Sequence, residues 1–257
     1  MHTSLPPWLE RVVNGFFEDG NLVQPKEMGV APNTALGLIP LGTGSDFART
    51  FNWKNNSLEA IERIGKGQRQ KVDVGHVVLP SGGVDRYFIN VADIHLSAKG
   101  GYYAAKYKKL GTFCYVAGAL HGFASHKNQD FDIRIDDGEW QLFPKVTTMA
   151  VGNAKYYGGG MKITPTADPF SNDLEVVMLQ KFKWYDFLFQ AHKLYKGSHV
   201  EIQNVSVKRV HTIEIRQHFV NLEVESKEKI FIQADGEHLG FLPAKFSILP
   251  GAIDFLV

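Results

Sequence analysis

The strongest constraint on the fold lies in residues 35–50, where an apolar run meets two glycines and then a polar helix start. The run ends at Leu41, Gly42-Thr43-Gly44 follows it, and Ser45-Asp46 has the composition of a helix N-terminus, with Asp46 as a good N-cap. Glycines at such a junction let the backbone approach a phosphate closely, and the free N–H groups of a first helical turn favour an anion. The pattern therefore predicts either a phosphate-binding loop or a plain turn before a capped helix.

Hydrophobic periodicity divides the chain into two parts of different character. The first part has helical spacing in residues 9–17, 46–50 and 58–64 and a strand-like run at 36–40. Beyond it, segments rich in Val, Ile and Phe with polar alternation predict strands at residues 71–79, 86–92, 131–135, 145–151, 174–179, 201–208, 212–216, 221–224 and 229–233. Helical patterns interrupt them at residues 97–109, 112–125 and 184–195.

Many strands with few helices favour a sandwich-like arrangement for the second part. The predicted fold class is therefore α/β followed by all-β: a partial α/β domain in residues 1–72 and a β-sandwich-like domain in residues 73–245. Residues 246–257 carry one more strand pattern.

Composition excludes several classes of protein. The net charge of +1 gives no basic excess for nucleic acid, and the single cysteine, Cys114, excludes an internal disulfide. No apolar run is long enough to cross a bilayer, and the N-terminus lacks the basic and apolar regions of a secretory signal. An ordinary globular protein without a transmembrane segment is expected, of unassigned oligomeric state.

Carboxylates stand at three strand-like positions. Asp235-Gly236-Glu237 follows the apolar run 230–234, so its two acids are either a base and a metal ligand or the solvated ends of a type I turn. Asp73 lies between two valines, which is unusual in a strand, and it either faces solvent, caps a turn or has a functional role. Asn90 and Asp93 lie near the end of the next strand pattern.

Three consecutive glycines mark a further loop. Gly158-Gly159-Gly160 follows the strand pattern that ends near Asn153, and such a run permits an unusual backbone path beside a ligand. The alternative interpretation is a flexible hairpin loop.

The string from Pro40 to Arg49, Pro-Leu-Gly-Thr-Gly-Ser-Asp-Phe-Ala-Arg, resembles the signature of the diacylglycerol kinase catalytic family. Ser45 stands where most members have Asn, and this form is similar to that of plant-type sphingoid long-chain-base kinases. The resemblance runs from about Val12 to the C-terminus and includes residues 153–167, which are similar to the family's glycine-rich loop. It implies an ATP-dependent kinase, with Mg²⁺, that phosphorylates a hydroxyl of a sphingoid base or of diacylglycerol at a membrane surface.

The resemblance also implies roles for individual residues. Asp235 corresponds to the catalytic base, and Glu237 to a supporting or metal-linked carboxylate. Residues 42–46 correspond to the nucleotide-binding loop, and Asp46 and Asp73 to a polar network between the domains that can take part in metal binding. Residues 246–257 are expected to return to the first domain. Ser171-Asn172 stand where bacterial members carry a metal-binding Asp-Gly, so no structural metal is predicted there.

One family motif is missing from the sequence. Members carry Gly-Gly-Asp-Gly-Thr before a helix that ends Val-Val-Asn-Gly, and here Ser4-Leu5-Pro6-Pro7-Trp8 precedes Val12-Val13-Asn14-Gly15. We therefore expect an N-terminally truncated member with impaired activity and an incompletely covered first domain. An inactive lipid-binding or regulatory fragment is the alternative. A dinucleotide-binding enzyme is disfavoured, because no Gly-x-Gly-x-x-Gly follows the strand. Localisation is expected to be intracellular, either cytosolic or peripheral to a membrane, and mitochondrial if a longer form carries a transit peptide.

Overall fold

The computed structural model describes residues 12–18, 21–22, 34–41, 45–107, 114–124, 126–219 and 228–257. The glycines at positions 42–44 and the strand expected at residues 221–224 lie outside these ranges. Within them the helices are α1 (Asp46–Thr50), α2 (Ser57–Lys66), α3 (Leu96–Lys106), α4 (Cys114–Ala124) and α5 (Trp184–Lys196). None of these described helices is both long enough and apolar enough to cross a membrane.

The described strands run in chain order as β1 (Phe17–Glu18), β2 (Asn21–Leu22), β3 (Arg69–Leu79), β4 (Val84–Phe88), β5 (Val91–His95), β6 (Gln129–Ile135), β7 (Gln141–Gly152), β8 (Leu174–Gln180), β9 (Val205–Val210), β10 (Thr212–Gln217), β11 (Phe231–Ala234), β12 (Glu237–Phe241) and β13 (Ala244–Leu256). The first two form a small hairpin. The others form one antiparallel sheet in the order β12-β11-β5-β7-β6-β10-β13-β3-β4, with β8 paired to β7 and β9 paired to β8.

The larger hydrophobic core is enclosed by this sheet. Its fully buried members come from most of the strands and include Phe88, Phe131, Met149, Leu174 and Phe246. Strands that are far apart in the sheet order contribute side chains to one core, so the sheet curls toward a sandwich or near-barrel. A mixed helix and sheet fold with a β-sandwich-like C-terminal part was predicted, and this prediction is confirmed.

A second hydrophobic core joins the N-terminal segments to the ends of β3 and β13. Phe47 of α1 packs edge-on against Phe255 of β13, and Val72 and Leu38 belong to the same cluster. The N–H of Leu36 donates to Asp254 and its carbonyl accepts from Leu256, both at 2.8 Å, so the C-terminal strand does contact the first part of the chain. The predicted boundary at residue 72 falls inside β3, and the division into domains stays a prediction.

Four local predictions need correction. The strand expected at residues 36–40 is reduced to a single bridge between Leu36 and Phe255. The strand expected at residues 86–92 is interrupted at Ile89 and Asn90, whose N–H groups bond a side chain instead of a strand. The strand expected from residue 201 begins at Val205, after a 3-10 turn. The helix expected at residues 9–17 is helical at residues 12–14 and ends in a turn at residues 15–16, because Phe17 already lies in β1.

Candidate active site

The hairpin between β11 and β12 carries the predicted Asp-Gly-Glu motif. Ala234 pairs with Glu237, so Asp235 and Gly236 are the two central residues of a tight turn. Both have positive φ, 46° and 90°, which is the pattern of a type I′ hairpin turn. The type I alternative was therefore wrong, because a type I turn has negative φ at both central positions.

Asp235 is buried, and its carboxylate holds the neighbouring turn. Oδ2 accepts the N–H of Ile89 at 2.8 Å, and Oδ1 accepts those of Asn90 at 3.0 Å and Val91 at 3.1 Å. Burial raises the pKa of Asp235 to about 6, although the three backbone N–H groups act in the opposite direction. A carboxylate with about four acceptor positions has room for one more donor. The geometry thus provides a buried, oriented carboxylate that can accept a proton near neutral pH.

Two more residues with metal-ligating oxygens accompany this carboxylate: Glu237 follows Asp235 by two residues, and Asn90 donates its N–H to Asp235 Oδ1. Glu237 opens β12 and is half-buried, and its side chain makes no hydrogen bond or ion pair within the described ranges. Asn90 is buried, and its Oδ1 has no partner among the described residues. Carboxylate and amide oxygens are ligands that Mg²⁺ accepts, so these two groups fit a nucleotide-bound metal ion.

The triple-glycine loop connects the Asp235 turn to α1. Asn90 Nδ2 donates to the carbonyl of Tyr156 at 2.7 Å, and the N–H of Gly159 donates to Asp46 Oδ2 at 2.9 Å. Asn153, fully buried at the start of this loop, donates through Nδ2 to the carbonyls of Asp73 and Ile89, both at 2.8 Å. Tyr157 and Met161 exchange two backbone hydrogen bonds of 3.0 Å, so the three glycines form the tip of a tight hairpin, which these contacts fasten to its surroundings.

Asp46 lies at the other end of this connection. It is the first residue of α1, and Ser45 occupies the N-cap position, so the prediction of Asp46 as the cap was wrong by one residue. Its carboxylate is buried, forms an ion pair with Arg49 and accepts the Gly159 N–H. A Cβ at Gly160 would lie 3.6 Å from the Arg49 guanidinium, which places a cation beside the glycine loop.

Asp73 holds a different part of the molecule together. Its Oδ1 accepts the N–H of Gly251 and its Oδ2 that of Asn172, both at 2.7 Å. Burial raises the pKa of Asp73, and the nearby carboxylates of Asp168 and Asp173 act in the same direction. No described residue is hydrogen-bonded to both Asp73 and Asp46, and the described ranges contain no cluster of three His, Cys, Asp or Glu side chains suited to a metal. The metal role suggested for these two residues stays untested.

Asp93 is the residue whose environment was least predictable from sequence. It lies in the middle of β5, paired with Gln233 on one side and Ala150 on the other, and is almost fully buried. Burial raises its pKa to about 8, and Ser97 offsets this in part. Its Oδ1 has no partner among the described residues. Gln233 precedes Asp235 by two positions, so the two buried carboxyls lie two positions apart along the same ladder.

A third arrangement was missed at the sequence level because its parts are far apart in the chain. Arg209 of β9 donates to Asp173 at 2.5 and 2.9 Å, to the Thr166 carbonyl at 2.8 Å and to Ser171 Oγ at 2.8 Å. It closes the loop that carries Asn172, the partner of Asp73. The sequence signal for this arrangement was a basic residue, Arg209, in an otherwise ordinary strand pattern.

Comparison with known proteins gives matches over nearly the whole chain. Residues 97–257 match the YegS C-terminal NAD kinase beta sandwich-like domain, and residues 8–77 match the diacylglycerol kinase catalytic domain. A diacylglycerol kinase of Mycobacterium tuberculosis H37Rv is 27% identical over 93% of this chain and 74% of its own length. One from Bacillus subtilis strain 168 is 26% identical over 85% of this chain and 68% of its own.

A solved structure has the same fold. The crystal structure of a diacylglycerol kinase from Bacillus anthracis Sterne superimposes with a TM-score of 0.58 and 22% identity. The match covers 86% of this chain and 66% of that one.

Proposed function

Because this chain belongs to the diacylglycerol kinase catalytic family, with a YegS-type C-terminal domain, we propose that it transfers the γ-phosphate of ATP to a hydroxyl of a membrane lipid. The observation that carries the proposal is the environment of Asp235. A buried carboxylate with a pKa of about 6 stands at a turn that is tied through Asn90 and the glycine loop to Asp46 of α1. Phosphoryl transfer needs a base positioned against the acceptor hydroxyl and cations against the phosphates.

In this proposal Asp235 accepts the proton of the lipid hydroxyl. Its three backbone hydrogen bonds fix the orientation of both oxygens, and its raised pKa gives it more basicity than an exposed carboxylate. The remaining acceptor position receives the hydroxyl proton, so the oxygen becomes a better nucleophile as it attacks. Burial keeps bulk water from competing for the same position.

The phosphate end belongs to the loop before α1. Gly42, Thr43, Gly44 and Ser45 provide backbone and hydroxyl donors, and Arg49 provides a cation beside Gly160. Glu237 and Asn90 Oδ1 are the groups that would hold an Mg²⁺ ion bound with ATP, and that ion would supply positive charge against the transferred phosphate. Asp46 holds Arg49 and Gly159 in place and so positions this end.

Asp93 supports a sphingoid base over diacylglycerol as the lipid. A sphingoid base carries an amine next to its hydroxyl groups, whereas diacylglycerol carries only neutral esters near its hydroxyl. A buried carboxyl with one unpartnered oxygen is costly unless a ligand satisfies it, and a cationic amine does so best. Diacylglycerol is the alternative substrate.

The test is ATP-dependent phosphorylation of the two lipids in mixed micelles. Asp93→Asn is expected to raise KM for the sphingoid base at least tenfold and to change KM for diacylglycerol little. Asp235→Asn is expected to lower kcat for both lipids. Equal effects of Asp93→Asn on the two lipids would refute the head-group assignment and leave the kinase assignment standing.

A second candidate is an inactive lipid-binding fragment. The 257 residues contain no Gly-Gly-Asp-Gly-Thr. The resemblance implies that the family's nucleotide site depends on this motif. We expect a polypeptide of these residues alone to have low turnover. Calorimetric titration with ATP·Mg²⁺ separates the candidates, because an impaired kinase retains weak nucleotide binding and an inactive fragment has none.

A further inference from the structure

A group of exposed aromatic side chains lies on the first half of α5. Trp184 is 61% exposed, Tyr185 37% and Phe189 76%. Trp184 and Tyr185 also border a groove of about 290 Å³, whose other walls include Phe123 and Phe182. Large aromatic residues clustered on a surface mark an interaction site more often than isolated ones do.

Lysines lie beside the end of β8 that leads into α5. Gln129, Val146 and Gln180 lie side by side on β6, β7 and β8. Lys127, Lys145 and Lys181 stand next to this row, and the Lys181 N–H donates to the Lys145 carbonyl at 2.8 Å. The chain reaches Trp184 three residues after Lys181.

The three lysines and Lys183 are exposed, and none forms an ion pair within the described part of the chain. Lys183 Nζ lies 5.6 Å from the centre of the Tyr185 ring. Two acids are close, Asp130 and Asp186, and both accept backbone N–H groups, from Lys145 and Lys183 respectively. We call this set, Lys127, Lys145, Lys181, Lys183, Trp184, Tyr185 and Phe189, the aromatic–lysine face.

We propose that the aromatic–lysine face docks the protein on an anionic bilayer. Aromatic rings are favoured at the level of the lipid head groups, and clustered lysines are attracted by anionic lipid. A second copy of the chain fits less well, because a two-fold contact brings the same lysines of both copies together. The choice of a bilayer rests on the proposed function, since a kinase of membrane lipids must approach its substrate there.

The test is flotation of the purified protein with vesicles in the absence of ATP. Phosphatidylcholine vesicles are compared with vesicles that also contain phosphatidylserine. Each lysine near a membrane surface contributes about fivefold to binding, so K145E/K181E is expected to weaken binding to the anionic vesicles by about 25-fold or more. W184S/F189S is expected to weaken binding to both kinds of vesicle. The matched control is L142S/K208E, which changes one exposed apolar and one exposed basic residue elsewhere and should leave binding unchanged.

Wild-type binding to anionic vesicles by K145E/K181E overturns the proposal. So does a dimer, detected by light scattering, that W184S/F189S dissociates while vesicle binding stays at the wild-type level. Phosphorylation of a water-soluble short-chain lipid should be the same in all these variants. Activity on that substrate without vesicle binding rejects the docking face alone, and vesicle binding without activity rejects the kinase assignment alone.

Discussion

Asn90 joins Asp235 to the triple-glycine loop through two different groups. Its backbone N–H donates to Asp235 Oδ1 at 3.0 Å, and its side-chain Nδ2 donates to the Tyr156 carbonyl at 2.7 Å. Gly159, three residues further along that loop, donates to Asp46. Hydrogen bonds therefore connect α1 to the carboxylate proposed as the base.

Asp235→Asn is expected to lower kcat by about 10² or more in any form of the protein that has measurable activity. In the wild type, activity should rise with pH through about 6, because the pKa of Asp235 is raised to that value and only the ionised form accepts a proton. The variant should lose this dependence. Initial rates between pH 5 and pH 8 at saturating lipid measure both effects.

Asp136→Asn is the matched control for this substitution. Asp136 also has a φ of 46° and accepts two backbone N–H groups, both at 2.8 Å, where Asp235 accepts three, but Asp136 lies outside the site. If the two variants lose stability alike and neither loses kcat, Asp235 is a turn residue only.

Asn153→Ala is expected to lower the free energy of unfolding by about 2 kcal/mol or more. The change leaves the carbonyls of Asp73 and Ile89 without the donor they share, inside a fully buried site. Urea unfolding followed by fluorescence measures the loss. Asn128→Ala is the control, because Asn128 is half-buried and its side chain makes a long 3.4 Å bond to the Phe182 carbonyl and a 3.0 Å bond with His126 Nε2. A similar loss in both variants would contradict the assigned role of Asn153.

The sequence predicted the strands with strong alternation because local chemistry determines them. Asp136, Asp137 and Gly138 form the predicted turn, with positive φ at both aspartates, and the turn joins β6 to β7. The break between β4 and β5 was not predictable, since Phe88, Ile89 and Val91 are strand formers and a single Asn among them does not by itself end a strand. That break depends on a carboxylate 146 residues away.

Sequence motifs predicted the residues of the candidate site, but they did not predict which residues these contact. Asp235, Asp46 and Asp73 stand out as acids near glycines or inside an apolar pattern, but their partners come from distant segments. Gly251, for instance, meets Asp73 across 178 residues only because β13 shifts register opposite β3. Local spacing contains no information on such pairs.

Arg209→Lys is expected to lower the free energy of unfolding at pH 7 by about 1–3 kcal/mol. Lysine keeps the charge but loses the planar group that reaches Thr166, Ser171 and Asp173 together. Burial acts to raise the pKa of Asp173, but hydrogen bonds from Arg209 and Ser171 outweigh it, so the pKa is lowered. This stabilisation is present above the ordinary pKa of an aspartate and is lost as pH falls through the lowered value.

Thermal unfolding at pH 7 and at pH 3 measures the effect of Arg209→Lys, and the gap between variant and wild type should narrow at the lower pH. Arg216→Lys is the control, because Arg216 is half exposed and has a 3.3 Å ion pair with Asp132 and a contact with the Trp140 ring at 4.2 Å, with no bond to a loop carbonyl among the described residues. If Arg209→Lys lowers the free energy of unfolding at pH 7 by no more than this control does, the hydrogen bonds of Arg209 contribute little to stability.

Asp93→Asn is expected to change how stability depends on pH. Burial raises the pKa of Asp93 to about 8, so between the ordinary pKa of an aspartate and about 8 the folded protein holds a proton that the unfolded chain releases. The stabilisation from this proton is complete at low pH and decreases as pH rises toward 8. Asparagine does not titrate, so the free energy of unfolding of the variant should rise relative to that of the wild type by roughly 1.4 kcal/mol for each pH unit between about 5 and 7. Urea unfolding at pH 5, 6, 7 and 8 gives the difference in the free energy of unfolding between the variant and the wild type. The contribution of Asp235 cancels in this difference, because both proteins retain that residue. Parallel pH profiles for the two proteins would mean that Asp93 is ionised in the folded state and has a cationic or polar partner there.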